Sequence, residues 1–163
     1  MGACSMKKRT PQQYVKIIRY CNRRGWKLSP LRDADLRDAE LWGANLRCAN
    51  LRDANLDNVV MCWTSHNLIA ERLRQAAAND PLKRMATGYI AMSTDWCWAA
   101  LINNTPHITL SDGTTLLDWT LNTMAAWVRD GDNAPQILKK RRDKLPLSIN
   151  VSGWGSPHPP ITE

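Results

Sequence analysis

Two of the five cysteines, Cys62 and Cys97, sit beside tryptophan in "MCWT" and "DWCW". A thiol paired with His66 or His107 would be the minimal arrangement for nucleophilic catalysis. The competing reading is a buried inert thiol in an apolar setting, and it is the one we adopt. His66, His107 and His158 fall at a helix start, in a loop and in a tail. None has a second His, Cys or carboxylate at ligand spacing, so no metal site is expected. The chain has no P-loop, no G-x-G-x-x-G and no G-x-S-x-G. No catalytic constellation is visible, and neither a cofactor nor a small-molecule substrate is expected.

The cysteines (Cys4, Cys21, Cys48, Cys62, Cys97) are odd in number, widely spaced and contain no C-x-x-C. That pattern fits reduced thiols and a cytoplasmic protein better than a disulfide framework. No apolar run reaches the roughly 18 residues of a membrane span, and no secretory h-region is present. The chain opens Met-Gly, as a myristoylated protein does, but position 6 is Met6 rather than Ser or Thr. No membrane partner is expected.

Charge supplies the next candidates. The net charge is +7 over 163 residues, and residues 1–30 carry eight Lys/Arg with no acid. Residues 31–58 reverse the balance, with four Arg against six Asp/Glu. A second basic run, "LKKRRDK", spans Leu138–Lys144. Lys16, Arg19 and Arg23 on one helix face, with Lys139, Lys140, Arg141 and Arg142, are therefore candidate phosphate contacts for nucleic acid. A solvated charge run is the alternative reading. The chain has eight Trp, three Tyr and no Phe. Among the tryptophans, Trp42, Trp96 and Trp98 are candidate contacts for a protein partner.

The element that must position these groups is "LRDADLRDAELWGANLRCANLRDANLDNVV", residues 31–60. Leu31, Leu36, Leu41, Leu46, Leu51 and Leu56 recur every five residues, and Ala34, Ala39, Ala44, Ala49 and Ala54 stand two before each later leucine. On a helix, leucines five apart would walk around the axis and leave no stripe. Small–polar–Leu reads as three residues of strand with Ala and Leu facing inward, and the following two residues, often Arg-Asp, as a turn. Fixed short-period repetition marks a solenoid.

This pattern resembles the pentapeptide-repeat family, with consensus A-[ND/E]-L-x-x. The resemblance implies a right-handed four-sided β-helix with stacked Leu and Ala ladders inside, one coil per four units. Residues about 20 apart would stack, placing Arg32 over Arg52, a pairing that needs a carboxylate or an anion between them. Val59 and Met61 replace Ala and Leu in a degenerate last unit. The run makes fewer than two coils, so both stacking faces must be sealed by neighbouring segments.

The expected fold is therefore α+β. A basic tail and capping helix cover 1–28, the short β-helix 29–63, a small helical domain with a hairpin near 107–116 covers 64–145, and a flexible Pro/Gly-rich tail covers 146–163. Pro11 and Gly25 bracket the first helix, and Ser65 caps the helix after the repeats. A strong helix is expected from Leu116 to a stop at Gly131. As a family, pentapeptide-repeat proteins are mostly binding and scaffolding modules. The expected function is a non-catalytic interaction or adaptor protein with the repeats as a rigid brace, and its partner another protein. The alternative is a small basic nucleic-acid-associated protein, such as a ribonucleoprotein subunit or a phage-type modulator. A topoisomerase-directed DNA mimic ranks last, because that role needs a long acidic rod.

Overall fold

Thr10 opens the first helix by a reciprocal cap. Its hydroxyl accepts from the Gln13 N–H at 3.3 Å while Gln13 Oε1 accepts from the Thr10 N–H at 2.9 Å. The helix, α1, runs Pro11–Arg24 and ends on Gly25, whose φ of 64° is left-handed. This computed structural model describes residues 9–26, 31–47, 49–92 and 98–145. The first eight residues of the expected basic tail, residues 29–30 of the expected β-helix and the expected tail at 146–163 lie outside the described residues.

In the repeat block each inward small residue donates its N–H back to the preceding leucine. Ala34 to Leu31, Ala39 to Leu36, Ala44 to Leu41, Ala49 to Leu46 and Ala54 to Leu51 close at 3.0–3.1 Å, and Val59 to Leu56 at 3.4 Å. In five of these turns the third residue is left-handed: φ is 57° at Asp33, 55° at Asp38, 68° at Gly43, 58° at Asp53 and 51° at Asn58. A positive φ at the third position is the type II pattern, which favours Gly, Asn and Asp. The polar position before a leucine braces the next turn, as Asn45, Asn50 and Asn55 accept from the N–H two residues on at 2.9–3.1 Å. Asp38→Val should therefore cost about 1–2 kcal/mol, because a β-branched residue is forced left-handed, whereas Asp38→Gly should be nearly neutral. Chemical denaturation of the two variants checks this.

Successive coils are tied by backbone bonds. The N–H of Leu31 donates to Asn50 O, Asp33 to Arg52 O, Leu36 to Asn55 O, Asp38 to Asp57 O and Leu41 to Val60 O, at 2.9–3.3 Å. Asn55 and Val60 donate back to Ala34 O and Ala39 O, both at 2.9 Å. The chain thus returns over itself every 20 residues, with parallel bridges at Asp35–Asn55 and Glu40–Val60. The stacked arginines have their carboxylate. Asp53 Oδ2 stands 4.0 Å from Arg32 and 3.5 Å from Arg52.

The expected α+β fold with a right-handed four-sided β-helix is nevertheless corrected. Among the described residues there is no strand and no sheet, only isolated bridges, and the regular secondary structure is six α-helices. The reason is the length of each side. Five residues per side give so much chain to the turn that one residue is left to bridge, and a strand needs consecutive bridges. The block is a coil built of turns.

After it come α2 (His66–Ala76), α3 (Pro81–Met92), α4 (Trp98–Asn104), α5 (Leu116–Ala125) and α6 (Gln136–Arg142). Ser65 caps α2, its hydroxyl accepting from the Leu68 N–H. A single antiparallel bridge joins Thr109 to Thr115 around Gly113, with φ of 83°, and delivers Thr115 as the N-cap of α5. The helix expected to reach Gly131 stops at Ala125. The chain turns there so that Trp127 and Val128, 3% and 4% exposed, point into the core. One buried cluster includes Ile18 of α1, the Leu/Ala ladders, Leu68, Ile69 and Leu73 of α2, and Leu116, Leu121 and Leu138 from the later helices.

Candidate interaction surfaces

All eleven ladder residues (Leu31, Ala34, Leu36, Ala39, Leu41, Ala44, Leu46, Ala49, Leu51, Ala54, Leu56) are at most 5% exposed, as are Val59 and Met61. Hydrophobic filling leaves the end faces of the coil to be explained, because the backbone groups there lack a further coil to pair with. α1 serves one side. Arg19 Nη2 reaches Glu40 O at 3.5 Å. The Asn22 amide, oriented to satisfy both groups, exchanges 2.9 Å bonds with Asn45 N–H and O.

α2 serves the other side with side chains four residues apart. Asn67 Nδ2 donates to Leu46 O at 3.3 Å and to Ala49 O at 3.2 Å. Glu71 Oε1 accepts from the Asp53 N–H at 3.0 Å, and Gln75 Nε2 donates to Ala54 O at 2.7 Å. These three polar side chains stand where the next coil's backbone would be. Sequence reasoning missed them, since Asn, Glu and Gln at that spacing read as a wet helix face. Arg74 completes the edge with 2.7 Å contacts to Glu71 and Asp53. The Glu71 bond chiefly raises its already high pKa.

The basic candidates separate by environment. Lys16, Arg19 and Arg23 lie exposed on α1, beside an edge-on Tyr20–Trp26 pair with centroids 5.7 Å apart. In α6, Arg141 pairs with Asp118 at 2.7 Å and Arg142 with Asp130 at 2.8 Å. Lys139 is half-buried and Lys140 exposed. Asp118 is held below its ordinary value of 3.8, first by the Thr115 hydroxyl and then by Arg141.

Of the tryptophan candidates, Trp42 is 60% exposed, while Trp96 and the Trp98 side chain lie outside the described residues. A second apolar surface carried no sequence flag. Leu82, Met85 and Met92, at helical spacing on α3, are 38%, 43% and 74% exposed, and Ile102 of α4 is 36% exposed. The Cys62 thiol is buried, donating to Ala44 O at 2.9 Å. Among the described residues no three His, Cys, Asp or Glu come together to hold a metal, and no helix is long and apolar enough to cross a membrane.

One charged cluster was also missed. The Arg72 guanidinium stacks 4.5 Å from the Trp127 ring centroid. One of its amino groups, Nη1, lies 3.3 Å from Met61 Sδ. Burial first, and then repulsion from Arg129, pull its pKa down to about 10, partly offset by Asp57. Arg129 Nη2 donates to Asn58 O at 3.0 Å. The signal in the sequence was an arginine among the apolar residues of α2, three after Ile69 and four after Leu68.

No curated protein and no solved structure matches the chain. The family described as pentapeptide repeats (8 copies) matches residues 31–61, the same residues that form the turn-built coil. Residues 31–61 are therefore a run of pentapeptide repeats.

Proposed function

We propose that this protein is a non-catalytic interaction or adaptor protein of the cytoplasm, in which the repeat coil is a rigid brace and the helices around it bind another protein. The observation that carries this reading is the exposed apolar row Leu82, Met85 and Met92 on α3. Contiguous exposed apolar side chains mark interaction surfaces, and methionine adapts to varied partners. The coil's end faces, by contrast, are engaged by α1 and α2 inside the chain. The cytoplasmic assignment rests on the odd number and wide spacing of the cysteines.

The test is affinity capture from the native host, with and without nuclease, using the wild type and Met85→Glu/Met92→Glu. The double variant changes exposed positions and should keep stability within about 0.5 kcal/mol per site while losing a nuclease-resistant partner. Equal capture by both proteins would move the partner away from α3. A second reading, contact with nucleic acid, draws support from the exposed Lys16, Arg19 and Arg23 beside the Tyr20–Trp26 pair, since single strands stack on aromatic side chains within basic surroundings. Capture that disappears with nuclease and with rising salt would favour it.

A further inference from the structure

We propose that Arg72 and Arg129, at the junction of α2, the turn after α5 and the last repeat, form a binding site for a phosphoryl oxyanion. Arg72 is held in place before any ligand arrives. One face of its guanidinium lies on Trp127 at 4.5 Å, and one amino group rests on Met61 Sδ at 3.3 Å. A thioether is a weak acceptor. Among the described residues neither the Arg72 nor the Arg129 guanidinium forms an ion pair with a carboxylate; the nearby buried Asp132 is taken up by the Arg129 backbone N–H at 2.8 Å and by Trp63 Nε1 at 3.3 Å. Arg74, Arg141 and Arg142, which are only half-buried, each have such a pair.

Two cations that repel each other beside an aromatic wall make an unbalanced site. Asp57 is the acid whose field reaches Arg72 and partly offsets its burial, but it forms no ion pair with either guanidinium. Arg129 is anchored through Asn58 O and is otherwise exposed, which leaves its remaining N–H groups available. A planar guanidinium offers two parallel N–H groups to an oxyanion, and a second arginine beside it closes the other side. A bound anion would offset both the desolvation of Arg72 and its repulsion from Arg129. The free phosphate ion and the phosphoryl group of a small ester share this chemistry.

The full chain is titrated with inorganic phosphate against chloride at matched ionic strength. Calorimetry gives the affinity, and the Arg72 Nε–Hε NMR signal reports the location. Saturable binding is expected, with that signal shifting in step. Arg129→Gln lies at an exposed position and keeps the fold, yet should weaken binding about tenfold or more, the worth of one charge-assisted bond. Arg72→Met, apolar and of similar reach, should abolish it. Phenyl phosphate displacing the ion would assign an esterified phosphoryl group as ligand, and its failure to do so would assign the free ion. Either result requires the site. A phosphate response equal to that of chloride, or one that survives in folded Arg129→Gln, would overturn the proposal.

Discussion

Leu46→Asp should unfold the protein at room temperature, whereas Arg47→Asp, one residue on, should leave its melting temperature nearly unchanged. Leu46 is fully buried, and Arg47 is exposed. Truncating a buried leucine to alanine already costs about 2–5 kcal/mol through lost transfer energy and the cavity left behind. Aspartate adds a carboxylate in the Leu/Ala ladder that has to be desolvated or protonated. Together these approach the entire stability of an ordinary domain, roughly 5–15 kcal/mol. The loss would not stay local, because the Leu46 carbonyl also anchors α2 through Asn67. Circular dichroism and a thermal melt of the two variants decide the matter. A folded Leu46→Asp with an unfolded Arg47→Asp would mean that the period-five register is wrong by one residue.

That register was readable because it needs only local information. A leucine every five residues selects which side chains turn inward, and Asp, Gly and Asn two after Leu31, Leu36, Leu41, Leu51 and Leu56 are the types that accept a left-handed φ. The same residues misled on strands. Small–polar–Leu alternates as a strand does, but alternation says nothing of how many successive residues can bridge when the chain turns every five. The helix starts at Pro11 and Ser65 were legible for the same local reason, since a cap is made within a few residues. The stop after Ala125 was not, because Trp127 and Val128 continue the apolar content and leave the helix only to fill the core. Nor was the Arg72–Arg129 pair, whose members stand 57 positions apart in sequence and meet through the fold alone.

Glu71→Ala should be the most damaging change of a polar residue, because that carboxylate joins the coil to α2. It is 8% exposed and accepts from four donors: the Asp53 N–H at 3.0 Å, two Arg74 groups at 2.7 and 2.8 Å, and Gln75 Nε2 at 3.0 Å. Breaking a buried ion pair from one side costs about 3–5 kcal/mol. Arg74 keeps Asp53 and is partly wet, so about 2–4 kcal/mol is the better expectation by the same reasoning. At this chain length each kcal/mol lowers the melting temperature by about 2–4 °C. Glu71→Gln retains an acceptor for the Asp53 amide and gives up the charge toward Arg74, so it should fall between. Hydrogen exchange separates the two contributions. In Glu71→Ala the Asp53 amide should lose its protection, while in Glu71→Gln it should keep most of it. If the Asp53 amide stays protected in the alanine variant while stability drops, Glu71 acts through Arg74 alone. The coil's end would then be held by Asn67 and Gln75.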